Sequence, residues 1–279
     1  MRWTPGGMSG DIEDRRGMPG LRPGHIGIGG LLLLLLLSLV FKRDFVSMFT
    51  GGAPVAPSAA PSPVETPAEA NLVQFVSFVL DDAQQTWDKL LPEQAGVPYR
   101  HAKLVLFRDL AESACGVAQS STGPFYCPAD EKVYIDLGFY DELRDRFGAP
   151  GEFAQAYVLS HEIGHHVQNI LGIAGKVQRF QRQNPDQANP LSVQLELQAD
   201  CLAGVWAHST KQRNLIDKAD IQAGIQAAGA VGDDRLQKMA QGRVSPESFT
   251  HGSSSQRVAW FERGIESGQI SDCNTFQER

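Results

Sequence analysis

The chain has 279 residues, and its composition of 42% hydrophobic and 20% charged residues is that of a globular protein with room for one sizeable domain. The formal net charge is -7 and the sequence contains no long basic run. Because proteins that bind nucleic acid carry a basic patch or stripe, this charge argues against a polyanion partner, and no nucleic-acid partner is expected.

The first 41 residues indicate a membrane anchor. Residues 1–24 are rich in glycine, proline and charge, and we expect them to be disordered. An uninterrupted apolar run from Ile26 to Phe41 includes seven consecutive leucines and is about 16 residues long, slightly short of a typical spanning helix. We therefore predict a transmembrane signal anchor over residues 25–41, with a cleaved signal peptide as the alternative.

The charges on either side of the apolar run predict its orientation. Four arginines precede the run and only Lys42 and Arg43 follow it closely, so the positive-inside rule places the N-terminus in the cytoplasm. The proline-rich linker over residues 42–70 buries too little apolar surface to fold and is expected to act as a tether. Residues 71–279 would then form one folded domain outside the cytoplasm, either periplasmic or extracellular.

Within this domain, strand patterns come first and helical patterns follow. Apolar residues recur at helical spacing over residues 72–90, which predicts an amphipathic helix. Residues Lys103–Phe107 and 132–137 are predicted strands, and the pattern is helical almost throughout from Glu152 onward. This order predicts an α+β fold that is mostly helical and has a small sheet.

The first helical segment after the strands contains the motif H-E-x-x-H, formed by His161, Glu162 and His165. Residues i and i+4 lie on one helix face with Cβ atoms about 5–6 Å apart, so the two imidazoles can bind one zinc ion. Glu162 lies one residue round the helix and can take a proton from a water held on the metal. Gly164 would let another element pack closely, and His166 is expected in an outer shell or at the surface. The alternative is a chance match.

A later helical stretch offers the remaining ligand. Glu196 and Asp200 are four residues apart in an otherwise apolar segment, where two buried acids are costly without a cation. A catalytic zinc ion needs a third protein ligand and an open position, so Glu196 would complete a His2Glu set. Asp200 would accept the free N–H of a ligating imidazole and fix its tautomer. The alternative is a solvated acidic face.

With these motifs, the chain resembles the zincin metallopeptidases of the gluzincin kind, which pair a helical HExxH with a later ExxxD. It is more closely similar to the bacterial family of putative neutral zinc metallopeptidases. The segments that carry this similarity span nearly the whole chain: "MRW", "IEDRRG", "GPFYCPADEKVYIDL", "LSHEIGHHVQ", "ELQADCLAGVWAH" and "DCNTF". The resemblance implies zincin topology, a membrane-tethered extracytoplasmic domain and peptidase activity.

A histidine near the C-terminus is a candidate for stabilising the transition state. The stretch "FTHGSSSQRVAWFERG" resembles a Thr-His-x5-Arg segment of several membrane-associated gluzincins. Ser253 and Gln256 predict a capping box, which places His251 just outside the last helix. His251 would donate to the oxyanion of the tetrahedral intermediate, with Arg257 orienting it or contacting substrate. An ordinary loop histidine is the alternative.

Four cysteines fit two disulfides if the domain is exported. Cys115 and Cys127 bracket a short loop and form one predicted pair. Cys201 and Cys273 form the other, which would clamp the C-terminal tail onto the ligand helix, and buried free thiols are the alternative. The stretch "PFYCPADEKVYIDL" is predicted to form either an edge strand that binds an extended peptide by main-chain hydrogen bonds or a plain hairpin.

Together these residues predict a membrane-anchored zinc metallopeptidase that hydrolyses a peptide or protein substrate. One zinc ion per chain, held by His161, His165 and Glu196, would lower the pKa of its water to about 7. Glu162 would remove the proton from that water and deliver it to the leaving amine. Two alternatives remain open: a membrane-tethered binding or scaffold protein whose zinc is structural, and a catalytically inactive zincin that acts as an adaptor.

Overall fold

A computed structural model describes residues 1–17 and 65–276. In these ranges the helices are α1 Pro67–Ala95, α2 Gly138–Asp145, α3 Glu152–Ile170, α4 Ile173–Gln183, α5 Ala188–Gln212, α6 Lys218–Ala230, α7 Asp233–Gln241 and α8 Ser254–Ser267. The strands are β1 Ile12–Asp14, β2 Lys103–Phe107, β3 Leu110–Ser113, β4 Gly116–Gln119, β5 Phe125–Cys127 and β6 Lys132–Asp136. The prediction of a mostly helical α+β fold with a small sheet is confirmed.

The larger sheet contains four of the described strands. Its strand order is β1–β2–β6–β5, and among these described strands only β5 runs antiparallel to its neighbour. The two central strands are apolar on both faces, with Leu104 and Val105 both fully buried, as expected for strands covered on both sides. The segment around Cys127 forms β5 at the edge of this sheet and makes an antiparallel hairpin with β6, so peptide binding by this edge stays a prediction.

The first long helix confirms the amphipathic prediction and extends it at both ends. The Thr66 side chain caps α1 by accepting from the backbone N–H of Glu69, and Gly96 ends the helix in the left-handed conformation. The helix begins at Pro67, inside the region predicted as a linker. Its apolar face, which includes Val79 and Leu80, is buried in the main core.

Helix α5, which carries Glu196 and Asp200, lies directly against the last helix, α8. Gly204 and Gly264 face each other at the crossing, and a Cβ placed on Gly264 would lie 2.0 Å from the carbonyl oxygen of Cys201. No side chain fits there, so the two helix backbones touch. The Cys201–Cys273 disulfide fastens the C-terminal tail to the same helix, and Cys115–Cys127 joins the β3–β4 turn to β5. Both predicted disulfides are confirmed, and they indicate an oxidising, extracytoplasmic compartment.

Residues 1–17 are part of the folded domain. Strand β1 pairs in parallel with β2, with Ile12 opposite Leu104, and the N–H of Arg15 donates to the carbonyl of Leu106 at 2.8 Å. The ring of Trp3 packs edge-on against α1. The prediction that residues 1–24 are disordered is therefore wrong for residues 1–17, because their main-chain groups complete the hydrogen bonding of β2.

The same pairing overturns the predicted arrangement across a membrane. A strand that is hydrogen-bonded to β2 occupies the same compartment as β2. A cytoplasmic N-terminus is therefore incompatible with an extracytoplasmic domain. The predicted anchor over residues 25–41 lies outside the described residues, as does most of the linker. Among the residues that the structure describes, no helix combines the length and apolar character needed to cross a bilayer.

Candidate metal centre

Helices α3 and α5 approach closely where the two sequence motifs meet. Gly164 of α3 lies against α5, and a Cβ placed on it would be 2.9 Å from the carbonyl oxygen of Ala199. The missing side chain therefore lets α5 pack directly on the HExxH helix, as predicted for Gly164. This contact brings Glu196 of α5 beside His161 and His165 of α3.

The three side chains form a compact cluster of metal-binding groups. His161 Nε2 lies 3.2 Å from one carboxylate oxygen of Glu196, and His165 Nε2 lies 3.4 Å from the other. The nearest donor atoms of the three residues all lie within 4.8 Å of one another. Two imidazole nitrogens and one carboxylate are a donor set that zinc prefers in catalytic sites.

The orientation of both rings fits a shared ion. His161 donates from Nδ1 to Asp200 Oδ1 at 2.8 Å, and Nδ1 of His165 lies 2.9 Å from Gln168 Oε1. Because each Nδ1 faces an acceptor oxygen, it can keep its proton, which leaves the Nε2 of each ring, on the Glu196 side, available to bind a metal ion. The predicted role of Asp200 as an acceptor matches this geometry.

The charges of the cluster attract a cation. Burial alone would lower the pKa of His161, but Asp200 and Glu196 raise it to about 10. Burial raises the pKa of Glu196, yet His165 and His161 hold it well below its ordinary value. A largely enclosed carboxylate between two imidazoles is costly unless positive charge is present, either as protons or as a metal ion.

Asp200 is the most enclosed acid of the site. It is fully buried, and besides His161 it accepts from Arg257 Nε at 2.8 Å and from the hydroxyl of Tyr157 at 2.6 Å. The sequence predicts one of two roles for Arg257, orienting His251 or contacting substrate. Its buried guanidinium binds Asp200 on the His161 side of the site, and because Arg257 also lines the cleft, its contact with substrate stays a prediction. Tyr157 is a partner of Asp200 that sequence reasoning missed.

Glu162 faces the cleft from the same helix as the two histidines. Its side chain is buried and lines the cleft together with the cluster. Burial raises the pKa of Glu162 above its ordinary value. A carboxylate with a raised pKa is a stronger base than an exposed one, which suits proton transfer near neutral pH.

His251 also lines this cleft, in a loop just before α8. The predicted capping box is present, since the Ser253 and Gln256 side chains bond reciprocally to the first turn of α8. One carboxylate oxygen of Asp233 accepts from the backbone N–H of His251 at 2.7 Å, and the other lies 3.2 Å from His251 Nδ1. This hydrogen bond to Asp233 raises the pKa of His251. Asp233 was not predicted, because an acid at a helix N-terminus usually serves as a cap.

Comparisons with known proteins agree with this geometry. A profile of the family described as "Putative neutral zinc metallopeptidase" matches residues 1–276. The chain belongs to this family. It is 46% identical to the uncharacterized protein YpfJ of Escherichia coli K12, over 99% of both chains. It is also 42% identical to the uncharacterized protein Rv2575 of Mycobacterium tuberculosis H37Rv, over 80% of this chain and 77% of that one. No solved structure gives a significant match.

The histidine cluster lies in a cleft. The cleft has a volume of about 550 Å³, with the histidine cluster on one side and β5 on another. Five of the apolar residues that line it, here called the apolar wall, are Phe139, Phe147, Val158, Val231 and Leu236. A cleft that is mostly apolar with a few convergent polar groups is typical of a binding site for a small ligand or peptide.

The edge strand is fixed to the HExxH helix by His166. This side chain is fully buried, with Nε2 2.6 Å from the carbonyl oxygen of Arg100 and Nδ1 2.9 Å from the hydroxyl of Tyr126. Asn169 donates to the same hydroxyl at 3.1 Å. His166 is therefore not at the surface, and it holds β5 beside the cleft.

Proposed function

We propose that this protein is a zinc-dependent metallopeptidase that hydrolyses peptide bonds, with one zinc ion per chain bound by His161, His165 and Glu196. The observation that supports it most strongly is the convergence of both Nε2 atoms on one carboxylate, beside Glu162, in an open cleft. When bound, zinc would polarise the peptide carbonyl and acidify a water molecule.

The remaining chemistry falls to the side chains of the cleft. Glu162 accepts the proton of the attacking water and then delivers it to the nitrogen of the leaving amine. Its raised pKa favours both transfers at neutral pH. His251, oriented by Asp233, donates a hydrogen bond to the oxyanion that develops on the carbonyl oxygen.

The edge strand β5 gives the proposal a substrate class. Its free edge would pair with the backbone of an extended peptide, while the apolar wall would accept a large hydrophobic side chain. We also propose that the protein associates with a membrane through the apolar residues 26–41, and that residues 1–17 and 65–276 lie on the same side of this membrane. The rival reading of a structural zinc site is less well supported, because all three candidate ligands line the cleft.

The test is the substitution Glu162→Gln in the full chain. This variant should bind zinc like the wild type and lose cleavage of a quenched fluorescent peptide library by at least about 100-fold. Zinc content is measured by mass spectrometry of the purified protein. Glu142→Gln, which changes an acid elsewhere in the same cleft, is the matched control and should retain activity. Equal activity of Glu162→Gln and wild type would refute the general-base role.

A further inference from the structure

A buried glutamine holds the second histidine of the cluster. Gln168 lies on α3 and is 1% exposed. Its Oε1 is 2.9 Å from His165 Nδ1, and its Nε2 donates to the carbonyl oxygen of Leu195 at 2.7 Å and to Gln198 Oε1 at 3.1 Å. The amide therefore joins the ring of His165 to the helix that carries Glu196.

A second buried glutamine extends this contact to the C-terminal tail. Gln198 Nε2 donates to the carbonyl oxygen of Cys273 at 2.9 Å. Cys273 is fixed by its disulfide to Cys201, which follows Asp200 on the same helix. The hydrogen-bonded path thus runs from His165 through two amides to a tail that is covalently attached to α5.

The two main-chain carbonyls determine the direction of every hydrogen bond in this path. A carbonyl oxygen only accepts, so Cys273 requires the NH2 group of Gln198, which leaves Gln198 Oε1 free to accept. Gln168 must then present its NH2 group to Leu195 and Gln198, and its oxygen to His165. A reversed amide would place two acceptor pairs in contact inside the protein, which is costly. The path therefore fixes the proton of His165 on Nδ1.

We propose that Gln168 is the positioning residue for His165, and that Gln198 links it to the disulfide-held tail. This inference rests on the proposed function, because it takes His165 as a zinc ligand. The two rings are then anchored differently. His161 is held by Asp200, which forms a charged pair with Arg257 of α8. His165 is held by the neutral amide of Gln168, which is linked through Gln198 to the C-terminal tail.

The test measures the affinity of the purified full chain for Zn2+ alone, by competition with a chromophoric chelator at fixed pH. Gln168→Met keeps the length of the side chain and removes the acceptor, and it should weaken zinc binding about 10–100-fold. Gln168→Glu keeps an acceptor for Nδ1–H but sets its other oxygen against the acceptors of Leu195 and Gln198, so it should restore most of the zinc affinity while lowering the thermal stability. If only the contacts to α5 mattered, both variants would bind zinc equally weakly.

A buried glutamine on α1, outside the hydrogen-bonded path to His165, supplies the matched control. Gln84 is 1% exposed, donates to the carbonyl of Ala102 at 2.7 Å and accepts from the hydroxyl of Tyr99 at 2.6 Å. Gln84→Met should lower thermal stability and leave the zinc affinity unchanged. Gln198→Met leaves the contact to His165 in place and should give a loss below about tenfold; it decides the matter if Gln168→Met does not fold.

The outcomes separate this inference from the proposed function. Wild-type affinity for zinc in Gln168→Met, or equal losses in Gln168→Met and Gln84→Met, would overturn the positioning role and leave the metallopeptidase proposal intact. A wild-type chain that binds no zinc would overturn both.

Discussion

The guanidinium of Arg257 grips the carboxylate of Asp200 with two hydrogen bonds, from Nε to Oδ2 at 2.8 Å and from Nη2 to Oδ1 at 2.9 Å. Both side chains are buried. The contact joins α8 to the ligand helix α5 and leaves Asp200 ionised, since Arg257 and His161 lower its pKa against the effect of burial. Helix α8 therefore helps to hold His161 in place, through Arg257 and Asp200.

Breaking this pair should destabilise the protein strongly. Arg257→Gln would leave the buried carboxylate of Asp200 without its cation, and we expect a loss of about 3–5 kcal/mol in the free energy of unfolding. Urea unfolding of the zinc-free protein measures the loss. The double variant Asp200→Asn with Arg257→Gln should recover part of it, because no uncompensated charge remains. Arg144→Gln, at an exposed pair, should have no measurable effect.

Asp233 should matter to catalysis through His251. Asp233→Asn keeps the shape of the side chain and removes the charge that orients the ring, so kcat should fall about 100-fold, as in His251→Ala, with little change in KM. The neighbouring Asp234 accepts from the backbone N–H and hydroxyl of Ser254, both at 2.7 Å. Asp234→Asn is therefore the control and should keep its kcat. Equal losses in both aspartate variants would mean that the loop, rather than His251, is responsible.

The attachment of residues 1–17 should depend on pH through His101. Its Nδ1 lies 2.7 Å from Asp11 Oδ2, next to β1, and its Nε2 lies 2.9 Å from Asp88 Oδ2 of α1. Burial alone would lower the pKa of His101, but the hydrogen bonds to Asp88 and Asp11 raise it. Lys103 also faces Asp11, at 2.7 Å.

The sign of the effect follows from this raised pKa. The stabilising contribution of His101 is fully present below its unfolded-state pKa of about 6.5 and is lost as the pH rises through the folded-state value. Urea unfolding of the wild type should therefore show a loss of stability as the pH rises above about 6.5, and this loss should be smaller in His101→Gln. Identical pH profiles for the two proteins would show that the contact contributes nothing.

The pairing of β1 with β2 predicts that both parts of the chain face the same side of any membrane. The four native cysteines are paired in disulfides, so one introduced cysteine can be labelled selectively. Met8→Cys and Val244→Cys replace side chains that are 57% and 42% exposed. In cells whose outer envelope layers have been removed, a membrane-impermeant maleimide should label both cysteine variants equally. Labelling of Met8→Cys only after lysis would place residues 1–17 in the cytoplasm.

The sequence was most informative where chemistry and helical periodicity coincide. His161 and His165, and likewise Glu196 and Asp200, are each four residues apart, and that spacing alone places each pair on one helix face. Gly164 marked the close helix contact for the same local reason. The predicted helix over residues 72–90 and the strand Lys103–Phe107 followed from patterns of apolar residues.

The features that were missed depend on contacts between distant parts of the chain. Gln168 is one of many helical glutamines, and only its position against His165 and α5 distinguishes it. Asp233 resembles an ordinary helix-capping acid until the loop of His251 folds over it. Strand β1 is three residues long in a glycine-rich region, and its partner lies far along the sequence, so no local pattern indicates the pairing.

The position of β1 also bears on the order in which the domain is completed. Strand β2 is synthesised long after β1, so the first strand stays without a partner until residue 107 has emerged. Until β1 pairs with β2, the edge of β2 is exposed and strongly apolar, and it can pair with other chains. Residues 12–14 thus act as a built-in guard against aggregation, and the biogenesis of this domain requires the earliest and later stretches of the polypeptide to be delivered to one place before folding can finish.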